Sequence, residues 1–152
     1  MSIYDLDSIL KKYENDYLII DYNHLFISSS IREEIWLLQR DDDSILLDKI
    51  RDQAQEFSIT EVDYDKDFDT YSGGQKAILG CILVISMIKS KNLKGIKLLL
   101  NNILESLSGD NRSILCNELQ KICESNDVAF FTYKNGKIEK LFLENGNKNG
   151  QI

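Results

Sequence analysis

The strongest constraint on the fold is the segment 75–88, whose residues from Ala77 onward are almost all apolar. A helix that is apolar on nearly every side has to be buried, because none of its faces suits water. The apolar run from Ala77 to Ile88 is shorter than the roughly 20 residues that cross a bilayer. We therefore expect a buried core helix here and no transmembrane segment.

Short apolar runs alternate along the chain with segments of helical periodicity. Runs typical of buried strands, and one alternating run typical of an edge strand, lie at 17–21, 96–100, 128–132 and 137–143. Helical spacing of apolar residues predicts helices at 3–13, 31–39, 44–57, 75–88 and 111–123. This alternation predicts an α/β layer fold, and the helical pair between 31 and 57 suggests a subdomain or an insertion.

Length and charge restrict the class of protein further. A chain of 152 residues with 43% hydrophobic residues suits one compact domain with an ordinary core. We expect that domain at 1–144, with a helical subdomain at about 27–92 and a flexible tail at 145–152. The net charge of −7 argues against general nucleic acid binding, which requires a basic surface. Four lysines between 89 and 97 form a local basic patch, and a solvated loop at a helix end is the simpler interpretation.

The cysteines and the acidic residues predict no metal site. Cys81, Cys116 and Cys123 are odd in number and lack a Cys-x-x-Cys spacing, so we expect reduced thiols, with Cys81 and Cys116 in the core. Residues 61–69 carry an acid at every second position, but a calcium loop would need Gly and Glu where the chain has Phe68 and Gly74. The N-terminus shows no signal peptide, which predicts a cytoplasmic protein.

One motif suggests chemistry. The string Tyr71-Ser72-Gly73-Gly74-Gln75 lies between the acidic segment and the apolar helix. Ser72 and Gln75 have the spacing of a capping box, which would explain the motif by helix capping alone. Alternatively, glycine amides at a helix N-terminus bind a phosphate, because the backbone approaches closely and the helix dipole is positive there.

The same string resembles the LSGGQ signature of ABC-type ATPases, with Tyr71 in place of leucine. Other segments also resemble parts of that family, and they occur along the chain in the family's order. Before the signature these are the stretch after the Q-loop of exporter cassettes (25–35) and the helical subdomain (41–57). After it come the Walker B strand (98–102), the D-loop (105–108), the strand before the H-loop (128–132) and the turn after it (135–138). The resemblance covers 17–141 and implies a truncated ABC ATPase-like core, with a mostly parallel sheet plus a helical subdomain. It also implies that Ser72, Gly73, Gly74 and Gln75 contact the γ-phosphate of ATP held by an opposite subunit.

The departures from the family concern hydrolysis. The chain has no phosphate-binding loop of the form Gly-x-x-x-x-Gly-Lys-Ser/Thr. The family's Q-loop glutamine aligns with Asp21, its Walker B aspartate and catalytic glutamate align with Asn101 and Asn102, and its switch histidine aligns with Tyr133. An amide cannot take a proton from water and is a poor magnesium ligand. His24, the one histidine, lies in a different segment, and we interpret it as structural.

The resemblance fits two subfamilies of ABC-type ATPases, and one segment also resembles a different family. The spacing from Gln75 to Asn101 is nearer to that of chromosome-maintenance ATPases of the SMC and Rad50 types, whereas residues 25–35 favour the exporter type. Residues 18–26 also resemble the first strand of PIN or flap-type nucleases, which need several carboxylates at strand ends to hold two metals. At the next strand end the chain has Asn101 and Asn102 instead.

The sequence therefore predicts a pseudo-ATPase, an ABC ATPase-like protein that does not hydrolyse ATP by itself. It would present its signature to ATP bound by a partner that is a complete ABC cassette, in the cytoplasm or at a membrane through that partner. A homo-oligomer is the other assembly expected. We expect no cofactor other than this shared ATP, and no metal. The alternatives are a structural or regulatory protein that kept the fold without nucleotide, and an active nuclease.

Overall fold

A computed structural model describes residues 17–39, 44–134 and 136–142 of the chain. These ranges contain four strands: β1 (Leu18–Asp21), β2 (Ile96–Asn101), β3 (Val128–Lys134) and β4 (Lys137–Lys140). They also contain four α-helices: α1 (Ile31–Gln39), α2 (Ser44–Gln55), α3 (Gly73–Ser90) and α4 (Gly109–Ser125). Short 3-10 turns lie at Tyr22–His24, Phe68–Thr70 and Leu104–Ser106. The helix expected at 3–13 and the tail at 145–152 lie outside the described residues.

The strands form one sheet in the order β1-β2-β3-β4. β1, β2 and β3 are parallel, and β4 is antiparallel to β3, as expected for a strand that follows a short turn. The prediction of an α/β fold with a mostly parallel sheet is confirmed. Because parallel strands end at the same edge of a sheet, Asp21 lies opposite Asn101 at the carboxyl edge.

Helix α3 is the central helix of the hydrophobic core. It is 18 residues long, and its buried residues extend from Ala77 to Ile88, as the apolar run predicts. By length and composition alone α3 could cross a membrane, since the helix extends beyond the apolar run at both ends. Half of it is buried inside the molecule, however, which is the behaviour of a core helix.

One continuous cluster of buried side chains joins the helices to the sheet. Helix α2 contributes Leu46, Leu47, Ile50 and Ala54, and α4 contributes Leu115, Leu119 and Ile122 at helical spacing. The strands add residues such as Leu98 and Phe130 to the same cluster. Helices α1 and α2, which the sequence suggested as a subdomain, therefore share their buried face with the rest of the described fold.

One expectation about a single residue is wrong. Cys116 is only half-buried, because it lies about 100° around α4 from Leu115, at the border of the buried face. His24 is exposed in the turn after β1, and its interpretation as structural stays a prediction. Cys81 is buried as expected, and this burial raises the pKa of its thiol to about 12. All three cysteines are free.

Candidate functional site

Two neighbouring places carry the residues that the sequence singled out. We call Asp21, Asn101, Asn102 and Tyr133 the strand-end cluster, and Ser72, Gly73, Gly74 and Gln75 the signature turn. The first lies at the carboxyl edge of the sheet and the second begins α3. Their polar groups are used in different ways.

Two members of the strand-end cluster form a buried hydrogen-bonded pair. Asp21 ends β1 and is 4% exposed, and Asn101 ends β2 and is 2% exposed. The Asn101 side-chain amide donates to Asp21 Oδ1 at 3.1 Å. The backbone N–H of Asn23 donates to the same oxygen at 3.3 Å, which folds the turn after β1. Among the described residues, Asp21 Oδ2 has no hydrogen-bond partner.

The other two members do not belong to this pair. Asn102 is exposed and has a φ of 59°, a left-handed conformation that asparagine adopts more readily than most residues. Tyr133 is half-buried on β3, where it pairs with Ile138 of β4. The structure thus brings two of the four aligned positions together and separates the others from them.

The strand-end cluster contains one carboxylate, that of Asp21. Asn101 serves as a hydrogen-bond donor to this carboxylate, a role that neither magnesium binding nor proton abstraction would require. Within residues 17–39, 44–134 and 136–142, no group of three His, Cys, Asp or Glu side chains could hold a metal ion. The carboxylate cluster that the nuclease alternative needs is not found in those ranges.

The signature turn has the capping box that its sequence predicts. Ser72 is the N-cap of α3, and its Oγ accepts a hydrogen bond from the Gln75 N–H at 3.2 Å. The Gln75 Oε1 accepts one from the Ser72 N–H at 3.0 Å. This arrangement uses the amides of Ser72 and Gln75. In the part of the chain that the structure describes, the amides of Gly73 and Gly74 donate to no acceptor.

The polarity of the helix end favours an anion at the turn. The first turn of α3 contains no acidic residue, and the helix dipole places partial positive charge there. Lys76 follows directly in the helix, and its ammonium group lies 3.6 Å from an Asp69 carboxylate oxygen. Ser72 is exposed, so a group from outside the chain could reach its hydroxyl.

Both glycines of the turn lie against other parts of the molecule. A Cβ atom at Gly73 would collide with the hydroxyl of Tyr22. A Cβ at Gly74 would lie 3.6 Å from the carbonyl oxygen of Ser106. The Leu104–Ser106 turn is held by Arg112, whose guanidinium donates to the carbonyls of Leu104 at 3.0 Å and Leu107 at 3.2 Å.

Tyr71 anchors the acidic segment before the turn. Its side chain is buried, and its hydroxyl oxygen accepts a hydrogen bond from the Asp63 N–H at 3.3 Å. Asp63 and Asp67 each accept a hydrogen bond from the backbone N–H two residues further on, at 2.9 Å. Both are exposed, so this segment is the solvated acidic loop that the sequence predicts.

Sequence reasoning missed two residues that support the signature turn and one that holds the loop before α1. Tyr22 and Arg112 support the two sides of the signature turn. Glu34 is buried on α1, and its carboxylate accepts from the N–H groups of Ile27 at 3.0 Å and Ser28 at 2.9 Å. Their contacts join residues distant in sequence or depend on a loop conformation, so neither periodicity nor a local motif marks them.

Comparison with known proteins gives distant structural similarity. No protein-family model matches the chain. No curated protein matches it either. Among solved structures, the chain is similar to one described as a metal-chelate type ABC transporter in an inward-facing conformation, with 16% sequence identity and a TM-score of 0.47. The match covers 76% of this chain and 55% of that chain. The chain thus spans about half the length of that structural neighbour, and a similarity this distant assigns no residue and no activity.

Proposed function

We propose that this protein is a non-hydrolysing relative of the ABC-type ATPases, which presents its signature turn to the γ-phosphate of ATP held by a partner. The observation that carries the proposal is the exposure and hydrogen bonding of the signature turn. Ser72 is exposed, and the amides of Gly73 and Gly74 have no acceptor among the described residues at the start of an 18-residue helix. Two free amides, a hydroxyl and a helix dipole suit a phosphate oxygen.

The capping box supports this proposal as well as the simpler alternative. It fixes Ser72 and Gln75 against each other, so the amides between them are held in place before any ligand arrives. A preorganised site loses less conformational entropy on binding. The capping box alone would satisfy a purely structural protein, and an experiment has to separate the two.

Hydrolysis is left to the partner in this proposal. The chain has no phosphate-binding loop in its sequence, and Asn101 donates its amide to Asp21. The cofactor is ATP bound by the partner, which would be a complete ABC cassette or an assembly that supplies one. The location would be the cytoplasm, or a membrane surface where that partner resides.

The test is capture of the partner with and without nucleotide. The purified, tagged chain is incubated with extract of its native cells, either with magnesium and a slowly hydrolysed ATP analogue or without nucleotide. We expect nucleotide-dependent capture of a protein with an intact phosphate-binding loop. Ser72→Asp should fold, because aspartate is as good an N-cap as serine and suits the helix dipole. It should reduce capture about fivefold or more, since like charges in contact repel by about 1 kcal/mol even in water.

Ser90→Asp is the matched control, because it adds the same charge to the exposed far end of the same helix. It should leave capture intact at a small cost in stability. If Ser72→Asp captures the same proteins as the unmodified chain in both conditions, the turn is only a helix cap. The structural or regulatory alternative would then replace this proposal.

A further inference from the structure

We infer that Tyr22 is a positioning residue for the signature turn, connecting it to the buried pair at the strand ends. This inference rests on the proposed function, because it concerns the amides that would face the phosphate. Tyr22 immediately follows Asp21 in the chain. Its hydroxyl occupies the space next to Gly73 that a Cβ atom would need.

The backbone of Tyr22 is fixed by the residue before it. Asp21 is held by Asn101 at 3.1 Å, and it accepts from the N–H of Asn23 at 3.3 Å, so hydrogen bonds to one carboxylate oxygen define the turn that carries Tyr22. The ring packs against the hydrophobic core. A rigid aromatic side chain on a fixed turn places its hydroxyl reproducibly, because it has only two rotatable side-chain bonds.

The other side of the turn is supported in a similar way. Gly74 approaches the carbonyl of Ser106, in the turn that Arg112 holds through two hydrogen bonds. The two glycines therefore lie between a tyrosine hydroxyl and a backbone carbonyl. Without the contact from Tyr22, the turn would be supported through Gly74 only, and the direction of the Gly73 amide would be less defined.

The contact between Tyr22 and Gly73 predicts that a substitution at one residue compensates for a substitution at the other. A methyl group at Gly73 meets the Tyr22 hydroxyl but lies 3.5 Å from the ring carbon Cζ that bears it, an ordinary van der Waals separation. Gly73→Ala should therefore be tolerated only when the hydroxyl is absent. In Tyr22→Phe/Gly73→Ala the added methyl fills the space that the hydroxyl left, and the support returns.

The first arm of the test uses the isolated chain and needs no partner. Gly73→Ala should lower the thermal midpoint by roughly 5 °C in the presence of Tyr22 and by much less in the Tyr22→Phe background. Tyr64→Phe is the control, because it removes a tyrosine hydroxyl bonded to Asp48 at 2.7 Å, away from the glycine. It should leave the Gly73→Ala penalty unchanged. Additive effects of Tyr22→Phe and Gly73→Ala would overturn the inference.

The second arm measures nucleotide-dependent capture, which a merely structural contact would not alter. Tyr22→Phe should keep its fold and lose capture severalfold, and the double variant should recover it. Unchanged capture by Tyr22→Phe, or a loss that Gly73→Ala does not rescue, would contradict a positioning role. If the unmodified chain shows no nucleotide-dependent capture, the proposed function fails, and the first arm alone still decides whether Tyr22 positions the turn.

Discussion

The strand-end cluster and the signature turn lie on either side of Tyr22, and both carry polar groups. At the strand ends Asp21 and Asn101 are buried, and the Asn101 amide donates to Asp21. At the turn Ser72 is exposed and the two glycines are half-buried, and the two glycine amides have no acceptor within the described residues. A buried pair of this kind specifies the fold, whereas an exposed turn with free donors remains available to a ligand.

Under the proposed function, the difference would correspond to a site of which one part is lost and another kept. Asp21 and Asn101 form a complementary pair inside the protein, at positions where the resembled family has a glutamine and an aspartate. The turn carries two glycines, and each lies against a neighbouring part of the chain. Two results would overturn this contrast: loss of the buried pair without any loss of stability, or a signature turn that no ligand can reach.

The largest effect should come from restoring a carboxylate at position 101. Asn101→Asp places two carboxylates about 3.1 Å apart in a buried position, where like charges repel and the amide donor is lost. We expect a loss of about 2–4 kcal/mol in the free energy of unfolding near neutral pH. The loss should shrink on acidification, because one protonated carboxyl can then donate to the other. Denaturant unfolding at several pH values measures both effects.

Two variants control this prediction. Asn102→Asp makes the same change at the next residue, which is exposed, and should cost less than about 0.5 kcal/mol. Asp21→Asn combined with Asn101→Asp exchanges the partners and should recover much of the loss. A neutral effect of Asn101→Asp alone would show that the pair does not stabilise the fold.

A smaller loss should follow from overpacking the buried part of α3. Gly80 is buried, and a Cβ there would lie 3.0 Å from a methyl carbon of Leu25. Gly80→Leu should cost about 1–3 kcal/mol, because the extra atoms force neighbours out of their preferred rotamers. Gly109→Leu is the control, since Gly109 is also helical and a Cβ there meets nothing within 4 Å. Equal midpoints for the two variants would show that α3 is not packed as described.

Periodicity predicted most of the fold, because apolar spacing reports which face of an element is buried. Helix α1 was predicted with its observed bounds, and α3 and α4 extend about two residues further at each end, as capped termini commonly do. The capping box at Ser72 was also predicted, since its chemistry is local. The carboxamide–carboxylate pair of Asp21 and Asn101 was not, because it depends on the register of two strands far apart in sequence. The contact between Tyr22 and Gly73 was not predicted either, because it joins residues far apart in sequence.

The smallest expected effect is the chemical labelling of Cys81 in α3. Burial raises the pKa of the Cys81 thiol to about 12, so at pH 8 only about one thiol in ten thousand is the reactive thiolate. Cys123 is half-buried and should react with iodoacetamide at least a hundredfold faster. Mass spectrometry of the labelled native protein resolves the sites. Rapid labelling of Cys81 before unfolding would show that the middle of α3 is accessible.

The most direct test of the central claim is ATP turnover by the purified chain. We expect no magnesium-dependent hydrolysis above background, because the sequence has no phosphate-binding loop and Asn101 and Asn102 cannot act as a base. Restoring both residues as Asp and Glu should not create activity, since nothing in the sequence binds the phosphates of an ATP of its own. Measurable turnover by the unmodified chain that is lost on Ser72→Ala would contradict the claim that this protein acts only on ATP held by a partner.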